Sequence, residues 1–201
     1  MSDGNDGGTE HPMRSDARRN RQRLLDAATE LILEIGGEPS RDAVARRAGV
    51  GIATLYRHFP DQQDLLRAVV IDALDRTIAA GEAALADPDG ARSALHRYLH
   101  AAIDNGLGVV NIAHPLLENI DWPEQTAAAQ NLLDRLMEDA RTRNALTDEV
   151  TATDVGFAAI RFSRPLAIGL DPTDERAISH RQLDHYLDGL AVQAGHHTAT
   201  N

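Results

Sequence analysis

Two short amphipathic segments, joined at Gly49 and closed by Pro60, constrain the fold of this chain more than any other feature. Ser40 is a plausible N-cap for the first segment, "RDAVARRA". Gly49 breaks that helix, and a second short helix, "GIATLYRHF", begins at Gly51 or Ile52. Two helices separated by a glycine turn predict a helix-turn-helix layout.

The second short segment has two unlike faces when it is drawn as a helix. Ile52, Leu55 and Phe59 fall on an apolar face, with Tyr56 at its edge. The opposite face is small, polar and basic: Gly51, Ala53, Thr54, Arg57 and His58. Such a face suits the DNA major groove, where threonine can meet a base edge and arginine can meet guanine or phosphate. An ordinary short amphipathic helix has the same spacing, so spacing alone leaves both interpretations open.

The segment before these two is the clearest helix in the chain. In "SDARRNRQRLLDAATELILEIGG" the apolar residues repeat at helical spacing until Gly36 and Gly37 end the helix. Arginines crowd its N-terminal end: Arg14, Arg18, Arg19, Arg21 and Arg23. Cations oppose the helix dipole there. The cluster is therefore either a solvated face or a set of groups that lie near phosphates.

The formal net charge of −11 hides a division between the two parts of the chain. Residues 14–60 carry nine arginines against six acids, whereas residues 61–201 carry 11 arginines against 22 acids. A small basic unit thus precedes a strongly acidic one. This asymmetry indicates an anionic partner for the basic part.

Several functional classes are disfavoured by what the sequence lacks. There is no cysteine, no apolar run near the roughly 18 residues of a membrane span, and no signal peptide. We therefore expect a cytoplasmic location without membrane contact. No phosphate loop or nucleophile motif is present, so we predict no enzymatic activity and no cofactor. His96 and His100 have metal-ligand spacing, but no third ligand is apparent, and no metal site is predicted.

The stretch "VARRAGVGIATLYRHFPDQQDLLRAV" strongly resembles the DNA-binding signature of the tetracycline-repressor (TetR) family of bacterial transcriptional regulators. The matching pieces are "LLDAATELI", "AVARRAGV", "TLYRHF" and "DLL", in the family's order and spacing. The resemblance covers roughly residues 18–73. It departs after the "YxxF" element, where many members carry a phosphate-contacting Lys and this chain has Pro60, Asp61 and Gln62.

Helical spacing, Pro, Gly and Asp between the helical segments, and the lack of strand-period alternation predict an all-α fold of about nine helices. We expect a disordered tail over 1–15, a three-helix helix-turn-helix DNA-binding domain over 16–62, a helical ligand-binding and dimerisation domain over 63–195, and a C-terminal tail over 196–201. Contact with double-stranded DNA is expected from nine residues: Arg18, Ser40, Arg41, Gly51, Ala53, Thr54, Tyr56, Arg57 and His58.

The resemblance also implies a homodimer that binds a pseudo-palindromic operator and pairs through the last two long helices. Their apolar residues are Val155, Ala159, Phe162, Leu166 and Ile168, with Leu183, Tyr186, Leu187, Leu190 and Ala194. Burial within one subunit is the alternative explanation for these faces.

An unknown small-molecule effector is expected to release the repressor from DNA. Its predicted pocket is lined by Tyr98, Leu99, His100, Ile103, His114, Leu117, Trp122, Met137, Phe157 and Arg161. The alternative function is a helical small-molecule-binding or dimerisation module whose DNA binding has degenerated, which the missing Lys slightly favours.

Overall fold

A computed structural model describes residues 10–87, 90–118, 122–165 and 169–198. Within these ranges the chain forms nine α-helices, one 3₁₀ turn and no strand, so the predicted all-α fold is confirmed. The helices are α1 (Glu10–Ile35), α2 (Arg41–Ala48), α3 (Ile52–His58), α4 (Gln62–Leu85), α5 (Ala94–Asp104), α6 (Val109–Ala113), α7 (Pro123–Thr142), α8 (Ala152–Phe162) and α9 (Pro172–Thr198), with the 3₁₀ turn at His114–Leu116. None of the described helices is long and apolar enough to cross a membrane.

Local capping fixes the positions of α2, α3 and α4. The Ser40 hydroxyl accepts a hydrogen bond from the Ala43 N–H at 3.2 Å, as expected for an N-cap. Gly49 ends α2 with φ 63°, a left-handed conformation that costs other residues about 1–2 kcal/mol. Asp61 caps α4 by accepting from the Asp64 N–H at 2.7 Å.

The first hydrophobic core joins α1, α2 and α3 to the first half of α4 and to α6. Its largest fully buried members lie on four helices: Leu24, Leu25, Ile32, Val44, Leu55, Leu65, Leu66 and Val69. Val109 and Ile112 of α6 close this core from the other side. Gln63 adds a polar link, since its amide donates to the Leu116 carbonyl at 2.9 Å and accepts from the Glu118 N–H at 3.2 Å.

Helix α4 belongs to both cores, which changes the predicted domain boundary. Its residues from Leu65 to Ala73 lie in the first core, whereas Ala84 lies in the second. Thr77 is buried between them, and its hydroxyl donates to the Ala73 carbonyl at 2.7 Å. The boundary predicted between residues 62 and 63 therefore separates side chains that pack together.

The second core is built where α4 and α5 meet α7, with α8 and α9 covering it. Its buried members include Leu95, Tyr98, Leu99, Leu132, Leu136, Val155 and Leu183. Helix α4 passes very close to its neighbours at Gly81. A Cβ there would lie 2.6 Å from Leu132 Cδ2 and 2.9 Å from Tyr98 Cδ2. Glycine at this position permits the close approach of the helices.

The predicted tails are shorter in the structure, because α1 begins at Glu10 and α9 runs to Thr198. Residues 10–15 and 196–198 are therefore helical, while 1–9 and 199–201 lie outside the described residues. Pro12 is compatible with this start, since a first-turn proline lacks an N–H that would be unpaired anyway. No proline follows Pro172 to stop α9.

Replacing Gly81 by Ala should lower the free energy of unfolding, because overpacking a core costs about 1–3 kcal/mol. Better helix propensity offsets roughly 1 kcal/mol of that cost. A Leu132→Val change removes bulk beside the new methyl, so the double variant should be more stable than the two single changes predict together. Urea unfolding of the four proteins measures this coupling. Simple additivity would contradict the proposed crowding at Gly81.

Candidate functional site

Helix α3 presents an exposed face that holds most of the residues predicted to contact DNA. Leu55 and Phe59 are buried against the first core. Tyr56 is 48 % exposed. Among the other predicted residues, Ser40, Gly51, Ala53 and Arg57 are exposed, while Arg41, Thr54 and His58 are half-buried. Ile52 was predicted on the apolar face, but it is 37 % exposed, because it begins α3 at the edge of the core.

Two contacts fix the side chains of this face. Arg57 Nη2 donates to the Thr54 hydroxyl at 2.9 Å, so the two predicted base-reading residues form one unit. The Arg41 guanidinium lies 4.6 Å from the centre of the Tyr56 ring and donates to the Pro60 carbonyl at 2.8 Å. That cation–π contact joins the start of α2 to α3. Tyr56 is exposed beside this guanidinium, so both groups can be approached from solvent.

His58 lies at the end of the same helix and is held in its neutral form. Burial lowers its pKa first, and the positive charges of Arg21 and Arg57 lower it further. The Arg21 guanidinium also lies 5.4 Å from the centre of the Phe59 ring. At neutral pH His58 is therefore a hydrogen-bonding group and contributes no positive charge to this surface.

The arginines of α1 and α2 divide into exposed groups and groups with internal partners. Arg18 is exposed on α1. Arg23 donates to the Gly49 carbonyl at 3.2 Å. Arg47 forms ion pairs with Glu34 at 2.8 Å and Glu30 at 3.2 Å. The hydrogen bond from Arg47 holds the pKa of Glu34 below its usual value. Arg47 thus ties α2 to α1, a role that the sequence analysis missed.

The residues predicted to line one effector pocket are distributed over several places. Tyr98, Leu99, Ile103 and Met137 lie in the second core, and burial raises the pKa of Tyr98 to about 12. Leu117 and Trp122 pack with the first core, and His114 is exposed on the 3₁₀ turn.

Phe157 lies apart from the buried aromatic Tyr98 that was predicted for the same pocket, because it is 70 % exposed. Helix α8 buries Val155, Ala158 and Ala159. A residue two positions after Val155 therefore points away from the core. Burial within the subunit also accounts for Val155, Ala159 and Leu183, which were predicted at the dimer interface. Leu166 and Ile168, and the side chain of Ala194, lie outside the described residues.

Two neighbouring cavities open where α1 approaches the connection between α8 and α9. One has a volume of about 350 Å³, and its walls include Leu33, Glu34, Ile103, Phe162, Glu175 and Ser179. The other, of about 490 Å³, has walls that include Leu33, Ile112, Phe157, Ile160, Arg161 and Arg164. Among the residues predicted for the pocket, Ile103 lines the first cavity, and Phe157 with Arg161 lines the second.

A histidine–carboxylate cluster joins α5 to α9. His96 Nε2 and His100 Nε2 each lie 3.1 Å from Asp184 Oδ1. His100 Nδ1 lies 2.6 Å from His180 Nδ1, and His180 Nε2 lies 3.0 Å from Asp104 Oδ1. From the sequence, His100 was expected in the effector pocket, and no third metal ligand was apparent beside His96 and His100. The missed signal is the second four-residue spacing, from His180 to Asp184.

The pKa values of His96 and Asp184 in this cluster are both lowered, for different physical reasons. Burial is the largest influence on His96 and lowers its pKa, and the neighbouring His100 lowers it further. Partial burial alone would raise the pKa of Asp184, but hydrogen bonds from His96 and His100 outweigh it and the net shift is downward. Neutral imidazole and ionised carboxylate are the forms that bind metal ions. Among the described residues, His96, His100 and Asp184 form a group that could hold one.

Comparisons with known proteins agree with this architecture. Residues 24–69 match the family model described as "Bacterial regulatory proteins, tetR family". An HTH-type transcriptional regulator of Staphylococcus aureus (strain USA300) is 45 % identical over 64 residues, which cover 31 % of this chain and 35 % of that protein. The aligned part thus spans about a third of the length of this curated relative.

Solved structures extend the similarity beyond the helix-turn-helix region of residues 24–69. A TetR transcriptional regulator from Streptomyces coelicolor is 27 % identical, with a TM-score of 0.62, over 85 % of this chain and 97 % of that one. A TetR regulatory protein from Mycobacterium vanbaalenii is also 27 % identical, with a TM-score of 0.63, over 89 % and 99 %. The regulator LfrR from Mycobacterium smegmatis, solved in complex with proflavine, shares the fold at 23 % identity and a TM-score of 0.57, over 83 % and 95 %. With the helix-turn-helix geometry of α2 and α3, these findings show that residues 24–69 match the TetR family model and that the chain shares the fold of TetR regulators.

Proposed function

We propose that this protein is a transcriptional repressor that binds a pseudo-palindromic operator as a homodimer and is released by a small molecule. The observation that carries the proposal is the exposed face of α3. Gly51 and Ala53 have small side chains, so little bulk protrudes from this face. A Cβ at Gly51 would have no other heavy atom within 4 Å. Helix α3 can therefore approach base edges closely, which a groove-reading helix requires.

The paired side chains of α3 support sequence reading over a purely structural role. Arg57 and Thr54 are hydrogen-bonded to each other on the exposed side, so binding DNA would fix fewer free rotamers. Tyr56 and Arg41 stand beside them and suit contacts to the phosphate backbone. The lysine that many relatives carry after this element is not needed for these contacts.

The homodimer is proposed through the outward faces of α8 and α9. Phe157 on α8 is 70 % exposed and Val192 on α9 is 59 % exposed in the isolated subunit. Large aromatic side chains are enriched at the centres of protein interfaces. A two-fold dimer would set the two α3 helices roughly 34–36 Å apart, or a simple multiple of that distance.

The effector is proposed to occupy the 350 Å³ cavity, whose volume lies in the range of small-molecule sites. Its walls come from α1 and α5 and from α8, α9 and the described residues between them. Ligand there would favour whichever relative arrangement of these helices it binds better. The walls combine the apolar side chains of Leu33, Ile103 and Phe162 with polar groups, which suits a mainly apolar molecule. The proflavine complex of the related LfrR supports a small-molecule role for this fold.

Replacing Arg57 by Ala should weaken operator binding roughly 5- to 150-fold, because a good base contact is worth about 1–3 kcal/mol. Arg135→Ala is the charge-matched control, since Arg135 pairs with Glu82 at 2.6 Å in the second core region. Fluorescence anisotropy with a duplex operator, found by selection from random DNA, measures both. Equal affinities for the two variants would contradict base reading by Arg57.

The same assay separates reading from positioning. Thr54→Val keeps the shape of the side chain and removes its hydroxyl, so it should change the preferred sequence. Tyr56→Phe keeps the ring beneath Arg41 and should weaken all duplexes alike. A protein that binds no duplex at low salt would instead support the alternative of a degenerate DNA-binding module.

Replacing Phe157 by Asp should convert the dimer to a monomer and weaken operator binding in parallel, because a charge would be buried at the interface centre. Ala127→Asp places the same charge on an exposed position of α7 and serves as control. Sedimentation equilibrium gives the mass of each protein. A monomeric Phe157→Asp protein with unchanged operator affinity would overturn the dimer proposal.

A thermal-shift screen with small, mainly apolar molecules tests the effector site. A bound ligand at a hundredfold excess over its dissociation constant stabilises the folded state by about 2.7 kcal/mol. Ser179→Phe fills the cavity from α9 and should abolish both the shift and the release of DNA. Ala128→Phe adds the same ring to the exposed side of α7. A hit that still acts on the Ser179→Phe protein would place the effector elsewhere.

A further inference from the structure

Helices α5 and α9 face each other with matching polar stripes. His96, His100 and Asp104 recur every four residues on α5, and so do His180 and Asp184 on α9. Four-residue spacing places side chains on one face of a helix. Each stripe therefore points at the other, and the two are joined by four contacts between 2.6 and 3.1 Å.

Three ligand atoms converge at one end of these stripes. One possible ligand atom from each of His96, His100 and Asp184 lies within 4.8 Å of the other two. With zinc–ligand bonds of about 2.0–2.1 Å, a tetrahedral site places neighbouring ligand atoms about 3.3 Å apart. The 3.1 Å distances from Asp184 Oδ1 to each Nε2 are close to that value. An ion would enter with little movement of either helix.

The contacts of His100 and His180 need one more positive centre than two neutral imidazole rings supply. The contacts from Asp184 to His100, from His100 to His180, and from His180 to Asp104 form a chain of three links. Each link joins two lone-pair atoms and needs one positive centre between them. Two neutral imidazoles carry one N–H each, which satisfies two links. The third link requires an extra proton or a metal ion.

With a metal ion between Asp184 and His100, each of the other two links has one N–H donor and one acceptor. His100 then binds through Nε2 and donates its Nδ1–H to His180 Nδ1. His180 donates its Nε2–H to Asp104. Metal-binding histidines usually donate their other ring N–H to such an outer partner, which fixes the ring and its tautomer. The near-parallel planes of His100 and His180, 6° apart with centroids 4.9 Å apart, agree with an in-plane N–H···N bond.

We propose that His96, His100 and Asp184 bind a divalent transition-metal ion of the zinc class, with His180 and Asp104 orienting His100. Two imidazoles and one carboxylate are a typical ligand set for zinc, and a fourth position stays open for water. The side chains of His96 and His100 are 17 % and 20 % exposed, so the ion can reach the site from solvent. The metal would tie α9 to α5, and the site is separate from the DNA-reading surface.

Zinc binding to the full-length protein, freed of metal by chelator and stripped of any affinity tag, tests the proposal. All proteins carry His196→Ala and His197→Ala, so that bound metal cannot be held by that terminal histidine pair. Competition with a chromogenic chelator should give one Zn²⁺ per chain, and Zn²⁺ should raise the melting temperature. Co²⁺ should give the intense visible absorption of a tetrahedral complex.

The variants separate ligands from bystanders. Asp184→Asn keeps the size of the side chain and removes its charge. This variant and, separately, His100→Ala should each lower Zn²⁺ affinity more than about 100-fold. His180→Ala should lower it about 10- to 100-fold, as loss of an outer partner does. His185→Ala, an exposed neighbour on α9, should leave it unchanged.

Two results would overturn the proposal. The first is a folded starting protein that binds no Zn²⁺ and gives no Co²⁺ spectrum, in which case the cluster holds a proton. The second is an Asp184→Asn protein, folded by circular dichroism, with unchanged Zn²⁺ affinity. Unchanged affinity in His180→Ala would contradict the orienting role of His180. None of these readouts depends on binding of DNA.

Discussion

The rest of the structure depends on the burial of α4 in two cores at once. Its first half fills the space beneath α1, α2 and α3, and its second half packs on α5 and α7. Tightly packed interiors do not deform continuously. Because one helix contributes side chains to both cores, a change in its tilt would displace residues in each of them.

Helix α6 and Gln63 add a second connection between the same parts. Ile112 of α6 packs in the first core, while the Gln63 amide bonds to backbone groups of Leu116 and Glu118. The 350 Å³ cavity lies beside the end of α1 and the start of α9. Occupation of that cavity would thus act on elements already coupled to α3, which is how a small molecule could alter DNA binding without touching the DNA surface.

Charge is distributed in agreement with this division of roles. The acidic excess lies after residue 60, and the ion pairs of Arg47 with Glu30 and Glu34 hold one arginine within the reader. Arg41 and Arg57 remain on the α2–α3 side, each oriented by a neighbour. The α2–α3 surface therefore presents two oriented cations beside an acidic remainder of the chain, an arrangement that suits the proposed contacts with DNA phosphates.

Local signals were enough to predict where α2 begins and ends and where α4 begins. Ser40, Gly49 and Asp61 cap these helix ends through backbone groups within four residues of themselves. The four-residue spacing of α3 likewise determined which of its side chains face outward. The exceptions were edge effects, such as Ile52 and the two helix ends that continue into the predicted tails.

What the sequence alone determined is therefore the helix-turn-helix signature, the all-α class and the residues of the α3 surface. The tertiary structure decided which residues from distant helices meet. Phe157 and Trp122 were both predicted from the sequence as aromatic walls of the pocket. Phe157 is exposed, whereas Trp122 packs with the first core. His100 and Asp184, 84 positions apart, meet because α5 and α9 pack against each other. Helical periodicity fixes the face of each side chain but not the helix that this face will meet, because that choice is made by packing over the whole core.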